Sequence, residues 1–427
     1  MTEDPHPFSV STNTAADRRI GVGIIGLSAD GGWGALAHHP SLRRLDDLFA
    51  LRGLTASSMA KAEKAARKYD VPFYSDSAAE LAARNDIDLL VVAVNLPQHQ
   101  KLIEQIAPSG KAIYCEWPLG MDPVQSRALA DLAARHGCRT FIGLQALHSP
   151  YVRRIGQILA DPASGRMLSC TVSGSDPSRG RQSLSRYRYA QFQENGVNTL
   201  TIPFAHLLAA LRYLFGDLQQ MSALTACQHP DVLMQDTGEI VHRTAIDHVF
   251  FHARTADGGL VDVIYHGGLS GLQMDIECEH VRLVITGNSG HIQYEPLQIK
   301  VIRQEKSETL PAHSRTAENL CDTYRAVHAD LTNGTQTVPD FADAVAHQQL
   351  LTVAGTRPEN RAVEVASRGL PRQALALAAP LFLAIGTCPG PGIRLTAAAA
   401  RRHRHNIASE RTGKEAALCE SRHGPWR

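Results

Sequence analysis

The residues with the clearest chemical purpose are glycines. Gly26-Leu27-Ser28-Ala29-Asp30-Gly31-Gly32-Trp33-Gly34 follows the apolar run Ile24-Ile25 and precedes a helix-forming stretch. Glycine tolerates positive φ and lets backbone N–H groups come close to a phosphate at the positive end of a helix. A literal G-x-G-x-x-G also occurs, at Gly21-Val22-Gly23-Ile24-Ile25-Gly26. That fingerprint has to follow a strand and open a helix. Before Gly21 stands only Thr14-Ala15-Ala16-Asp17-Arg18-Arg19, which is no buried strand, so the apolar run lies inside the match and the turn starts at Gly26. On this reading Gly26 makes the tight turn. Gly31, Gly32 and Gly34 supply permissive backbone where the helix opens, and Leu27, Ser28 and Trp33 share a loop that cradles a pyrophosphate. Ser28 stands where a second glycine is usual, and the loop is about one residue longer than the common form.

About 20 residues further on, dinucleotide folds that prefer the unphosphorylated cofactor place a carboxylate for the ribose. Here that place reads Ala56-Ser57-Ser58-Met59-Ala60-Lys61. Hydroxyls such as Ser57 together with a lysine accept a 2′-phosphate that a carboxylate would repel, so NADP is expected ahead of NAD. Asn95, Leu96 and His99 follow the fourth apolar run, at the carboxyl end of a parallel strand, where such sheets bind ligands.

Positioning these groups requires a particular set of elements. Apolar runs at 23–25, 49–56, 72–74, 88–94, 112–115 and 140–144 alternate with helical stretches at 33–45, 60–69, 77–84, 98–107 and 123–136. This alternation predicts right-handed crossovers and a doubly wound parallel sheet, an α/β Rossmann domain over 20–146. Beyond about residue 149 the rhythm changes. Helices are expected at 152–159 and 197–214, extended segments at 167–173, 248–252, 260–265, 281–286 and 291–294, and helices again at 317–331 and 340–353. Strands without intervening helices predict a mainly antiparallel open sheet, making 147–355 an α+β domain. The stretch 356–427 is expected to be a poorly ordered tail. Its basic run Arg401-Arg402-His403-Arg404-His405 reads as a solvated tail rather than a nucleic-acid arm. A shifted reading frame would give the same composition.

Totals exclude several classes. A chain of 427 residues, 44% hydrophobic, can fill two cores. Lys+Arg number 43 against Asp+Glu 42, so no net field draws nucleic acid. The eight cysteines lack Cys-x-x-Cys spacing, which fits reduced thiols, and the 20 histidines lack metal-ligand spacing, so no metal is expected. The polar start, Met1 to Arg19, carries no export signal, and the longest apolar run, 374–385, contains Pro380 and is short of the roughly 20 residues a membrane span needs. A cytoplasmic protein with no membrane association is the expectation.

Three further segments carry a family likeness: Val94-Asn95-Leu96-Pro97-Gln98-His99, Cys115-Glu116-Trp117-Pro118-Leu119-Gly120 and Gly143-Leu144-Gln145. With the glycine loop, they resemble the Gfo/Idh/MocA family (glucose-fructose oxidoreductase, inositol dehydrogenase and rhizopine-catabolism proteins) over about residues 20 to 355. The resemblance implies a dinucleotide held by the loop together with Ser57, Asn95, Leu96, His99, Glu116, Trp117 and Gln145. It also implies that 147–355 is a substrate and oligomerisation domain with a self-associating open sheet. Family members usually read Glu-Lys-Pro where this chain has Glu116-Trp117-Pro118, and the lysine touches nicotinamide ribose and substrate. They also carry Asp-x-Gly-x-His where this chain ends Ile202-Pro203-Phe204-Ala205-His206, which keeps the histidine and puts Ile202 at the aspartate position. His206 is thereby the implied acid–base group. Tyr187 and Tyr189 can orient a substrate, although packing or turn roles suit them better.

These departures, together with Leu144-Gln145, Ser149-Pro150-Tyr151 and Asn195-Gly196-Val197, resemble the branch that contains the yeast galactose-regulon corepressor. Two functions follow as expectations. One is an NAD(P)-dependent oxidoreductase acting on a sugar or polyol-like molecule; the other is a catalytically silent dinucleotide-binding regulator that acts through a protein partner.

Overall fold

The structure is a computed structural model and describes residues 19–355 except 269, 294–295, 305 and 311–315. The expected tail at 356–427 lies outside the described residues. The first six strands are β1 (Ile20–Ile25), β2 (Phe49–Thr55), β3 (Phe73–Ser75), β4 (Leu89–Val92), β5 (Ala112–Glu116) and β6 (Thr140–Gly143). They form one sheet in the order β3-β2-β1-β4-β5-β6, every pair parallel. The order reverses between β1 and β4, which opens a crevice above their carboxyl ends. Five helices connect these strands: α1 (His39–Arg44), α2 (Met59–Tyr69), α3 (Ala78–Ala82), α4 (His99–Ile106) and α5 (Pro123–Arg135). β1 and β4 are buried along their whole length, as strands covered by helices on both faces must be.

After α6 (Pro150–Ala160) come β7 (Met167–Asp176), β8 (Gln182–Ser183) and α7 (Ala205–Phe215). Nine strands follow: β9 (Leu218–Ala226), β10 (Asp231–Met234), β11 (Ile240–His242), β12 (His248–Thr255), β13 (Leu260–Gly267), β14 (Gly271–Cys278), β15 (Arg282–Gly287), β16 (Gln298–Arg303) and β17 (Lys306–Leu310). Eight strands make a second sheet, β17-β16-β15-β14-β7-β13-β12-β9. All its pairs are antiparallel except β7 with β13. Strands β12, β13 and β14 alternate buried and exposed residues: Val249 and Phe251 point into the core beside α7, while Phe250 and His252 point out. Strands β8, β10 and β11 form a small third sheet.

Two closing helices, α8 (Thr316–Asn333) and α9 (Phe341–Gly355), return to the first sheet. Leu320, Tyr324 and Val327 of α8 join the core that Val22, Leu54, Tyr114 and Phe141 build on one face of that sheet.

The structure corrects the sequence expectation at several points. His291 to Gln293 form a turn rather than a strand, because the backbone at Gly290 lies against Ser175 and the His291 ring reaches Asp176. The helix expected from 197 begins later: Asn198 Oδ1 accepts from the amides of Leu200 and Thr201 at 2.9 and 3.0 Å. Pro203, which lacks a donor, then sits in a wider π-type turn over Leu200–Phe204. A similar turn, Gly34–His38, precedes α1. Strands β8, β9, β10, β11, β14, β16 and β17 join the sheets in addition to the expected ones. Among the described residues, no helix is long and apolar enough to cross a membrane.

Candidate functional site

The glycine loop leaves β1 at Gly26, whose amide donates to the Thr55 carbonyl at 2.9 Å. Gly26 has φ +99°, and a Cβ there would stand 2.6 Å from the Ala93 carbonyl oxygen, so no other residue fits the turn. Gly31 and Gly32 have φ +113° and +92°, and a Cβ on either would meet nothing within 4 Å. Their backbone therefore faces open space, the cradle that a pyrophosphate needs. Helix α2 braces the loop from below. Tyr69 donates its hydroxyl to Ser28 O at 2.9 Å, Lys68 Nζ to Ala29 O at 2.6 Å, and Lys64 Nζ pairs with Asp30 at 2.7 Å. The Leu27 side chain is wholly in the core, so only its backbone is available to a ligand, and Trp33 packs at the core margin.

On the β2 side of the crevice, Ser57 is exposed and accepts a hydrogen bond from Lys61 Nζ at 3.3 Å, while Ser58 caps α2. Asn95, Leu96, Glu116, Trp117 and Gln145 lie on the other side, at or just past the carboxyl ends of β4, β5 and β6. Asn95 is exposed. Leu96 packs with Ala190 and Val197, joined by the half-buried Tyr189. His99 is buried, its ring nitrogens 3.1 Å from Val94 O and 3.3 Å from Leu119 O, and burial lowers its pKa. Its ring belongs to the core and is not presented to a cofactor. Tyr187 is 40% exposed under the Arg186 guanidinium and makes no contact with the rest of this set among the described hydrogen bonds and ring pairs.

Glu116 is the centre of a network that extends beyond the sequence motif. Gln145 Nε2 donates to both carboxylate oxygens at 2.9 Å, and His38 Nε2 stands 3.0 Å from Oε1. His38 Nδ1 is 2.7 Å from the Tyr324 hydroxyl. The tyrosine hydroxyl can donate to Nδ1, whereas Nε2 approaches the carboxylate as a close contact without hydrogen-bond geometry and has no hydrogen-bond partner among the described residues. His38 and Tyr324 carry no motif signal, because their partners are far apart in the chain.

Trp117 donates Nε1–H to the Thr201 carbonyl at 2.7 Å and packs edge-on against His347, ring centres 5.1 Å apart. His347 Nε2 lies 2.9 Å from the carbonyl of Ala205, the residue before His206. The fold thus gathers Trp117, His347 and His206. His206 is 5% exposed, and its Nδ1 has no hydrogen-bond partner among the described residues. Burial, with the nearby His291 and His347, pushes its pKa down to about 3, so it is held neutral. Ile202, half-buried, packs against the same core. Beside them, His291 Nε2 meets Asp176 at 2.9 Å; desolvation of Asp176 is outweighed by His291 and Arg179, and its carboxyl is held well below the usual range. Among the described residues, no three His, Cys, Asp or Glu side chains are grouped as metal ligands.

Comparison with known proteins matches both parts of this arrangement. Residues 20–144 match the oxidoreductase family with NAD-binding Rossmann fold, Gfo/Idh/MocA, and residues 150–296 match the Gal80p C-terminal domain. The galactose/lactose metabolism regulatory protein GAL80 of Kluyveromyces lactis is 27% identical over 307 residues, 66% of this chain and 67% of that protein. Dehydrogenase aclE of Aspergillus oryzae is 30% identical over 225 residues, 52% of this chain and 61% of that protein. Among solved structures, a super-repressor mutant of Gal80p from Saccharomyces cerevisiae superposes with TM-score 0.74 at 20% identity, covering 79% of this chain and 95% of that one. Levoglucosan dehydrogenase in complex with NADH and levoglucosan superposes with TM-score 0.68 at 18% identity, covering 79% and 96%. The glycine cradle, the reversed strand order and the mixed sheet behind it therefore belong together: this chain joins an NAD-binding Rossmann domain of the Gfo/Idh/MocA oxidoreductase family to a Gal80-like C-terminal domain.

Proposed function

We propose that this protein binds a nicotinamide dinucleotide across the crevice and acts as an oxidoreductase on a sugar- or polyol-like small molecule. The observation that carries this reading is the open backbone at Gly31 and Gly32, and the neutral His206, whose Nδ1 has no hydrogen-bond partner among the described residues, supports it. The dinucleotide, when bound, supplies the hydride acceptor for a carbinol carbon. Gly26, Leu27, Ser28, Gly31, Gly32 and Trp33 would hold the pyrophosphate through the loop backbone, Ser57 with Lys61 the adenosine ribose, and Asn95, Leu96, Glu116, Trp117 and Gln145 the nicotinamide half. NADP is favoured over NAD by Ser57 and Lys61. His206 is the acid–base candidate by its motif position, although burial, which keeps it neutral, also weakens it as a base, and Tyr189 shapes the pocket wall. A sugar-like substrate accords with the name of levoglucosan dehydrogenase.

One specific observation supports a second reading, a catalytically silent regulator that acts through a protein partner. Trp117 occupies the family lysine position with its only donor committed to Thr201, and it cannot take a proton. The name of the GAL80 relative points the same way. Titration with NADP and NAD by intrinsic fluorescence, followed by a sugar panel read as reduced-cofactor absorbance, separates the two. Turnover lost in His206→Ala supports the enzyme; binding without turnover on any sugar rejects it in favour of the regulator. Self-association through the open sheet accompanies either reading, since Leu224, Phe250 and Ile264 stand exposed on neighbouring strands. Reduced thiols at six described cysteines agree with a cytoplasmic location.

A further inference from the structure

Glu116 holds a carboxylate at the carboxyl end of β5, on the half of the sheet that takes the second mononucleotide of a dinucleotide. Its side chain is 14% exposed, so its charge is shielded only in part by water. Three features fix it in place. Gln145 donates to both oxygens, His38 approaches Oε1, and Gly143 lies directly beneath, where a Cβ would come within 2.8 Å of Oε1 and 3.0 Å of Gln145 Nε2. The clamp is itself clamped, because the His38 ring is held by the Tyr324 hydroxyl from α8. The charge is felt nearby: the hydroxyls of Tyr114 and Tyr324 and the thiol of Cys115, raised first by burial, are raised further by Glu116. The adjacent residue, Trp117, contributes an indole where family members bring a lysine, so the cation that usually accompanies this glutamate is replaced by an uncharged group.

An oxidised nicotinamide ring carries a positive charge and a reduced ring carries none. We infer that the Glu116 carboxylate, clamped by His38 and Gln145 and uncompensated at position 117, makes this site prefer the oxidised dinucleotide to the reduced one. The inference rests on the dinucleotide reading above and deepens it: the protein reports, or acts on, the redox state of its cofactor and not merely its presence. His38 and Tyr324 are positioning residues in this scheme, since they reach the ligand only through Glu116.

Binding alone tests it. The full chain is titrated with NADP⁺, NADPH and 2′-phospho-ADP-ribose, and in parallel with NAD⁺, NADH and ADP-ribose. The ADP-ribose forms lack the nicotinamide and measure the adenosine half by itself. The wild type is expected to bind the oxidised form about tenfold more tightly than the reduced form. Glu116→Gln, which removes the charge while keeping the shape and one of the two acceptor oxygens, is expected to bring the two together without changing affinity for the ADP-ribose form. Equal wild-type affinities, a measurement that needs no variant, would overturn the inference, as would a preference that persists in Glu116→Gln. Binding of the ADP-ribose form without redox preference overturns this inference alone. Failure of all six probes to bind overturns the dinucleotide reading with it.

Discussion

Trp117 and Thr201 are joined by a single hydrogen bond, indole N–H to carbonyl at 2.7 Å, which ties the segment after β5 to the turn that launches the helix carrying His206. The donor is largely buried, so the bond pins the segment after β5 to the turn ahead of α7. Trp117→Phe keeps the ring and removes the donor, leaving the Thr201 carbonyl without its partner. Urea unfolding should show a loss of about 1–3 kcal/mol. Affinity for the ADP-ribose form should stay as it is, because the glycine loop is remote from this bond. A variant as stable as wild type would mean that water replaces the indole.

The buried histidines set the pH dependence of stability. Burial lowers the pKa of His206 to about 3, and of His148 and His347 to about 4, against a model-peptide value of 6.5. Between those values the unfolded chain binds protons that the folded chain refuses, so stability rises with pH across this window. It is complete above about pH 6.5 and is lost progressively as pH falls toward about 4, with a slope of up to roughly 1.4 kcal/mol per pH unit for each histidine. Urea midpoints at a series of pH values check this. His347→Gln should shallow the slope; an unchanged slope would place the proton uptake elsewhere.

Gly143 carries a prediction about the nicotinamide side alone. Gly143→Ala drives a methyl into the Glu116 carboxylate and the Gln145 amide, both of which are ends of flexible side chains. The fold should survive with a loss of about 1 kcal/mol, within the range of core overpacking. Dinucleotide affinity should fall, while affinity for ADP-ribose, read by calorimetry in the same preparation, should not. Equal losses for both ligands would show that the whole crevice had moved.

How much of this was legible in the sequence depends on how local the cause is. The turn at Gly26 could be read because a strand must precede it and only glycine suits φ +99°. The parallel sheet could be read because its strands are continuous apolar runs. Strand β14 shows a full alternation, with Leu272, Met274, Ile276 and Cys278 inward, and the pattern was there to be read. By contrast β17 is exposed almost throughout and has no such signature. Most opaque was the site network. Glu116 and Gln145 belong to motifs, but His38 reaches Glu116 from the turn ahead of α1 and Tyr324 reaches His38 from α8, tertiary facts with no trace in local spacing. His291 read as strand because it opens an alternating run, His291-Ile292-Gln293-Tyr294, and its contact with Asp176 accompanies a turn instead.

The glycines of the loop differ in what they protect, and two substitutions separate the roles. Gly26→Ala meets both a positive φ and the Ala93 carbonyl at 2.6 Å, so it should destabilise the fold by several kcal/mol, seen as a sharply lower thermal midpoint. Gly32→Ala meets only the unfavourable φ, at about 1–2 kcal/mol, with open space beyond. That space is where a pyrophosphate would lie, so Gly32→Ala should abolish dinucleotide binding in a protein that still folds. Retained binding in Gly32→Ala would remove the loop from the site.

On the proposed reading, cofactor choice turns on the lysines of α2, on the adenosine side of the crevice. Lys61, Lys64 and Lys68 recur at helical spacing and face the loop. Lys61 already touches Ser57, Lys64 is engaged by Asp30, and Lys68 holds the Ala29 carbonyl. A 2′-phosphate arriving beside Ser57 would gain the Lys61 charge directly, whereas a 2′-hydroxyl would gain only a hydrogen bond. The Asp30 carboxylate opposes it by holding Lys64, and that pair is exposed and therefore weak. Lys61→Ala should lower NADP affinity about tenfold and leave NAD affinity nearly unchanged, with the difference shrinking at high salt. Asp30→Asn should act in the opposite direction, by freeing Lys64 for the phosphate. Calorimetric titration of both cofactors into both variants tests the pair. If NAD and NADP affinities move together in each, the lysines only brace the loop, and the cofactor choice lies with other residues.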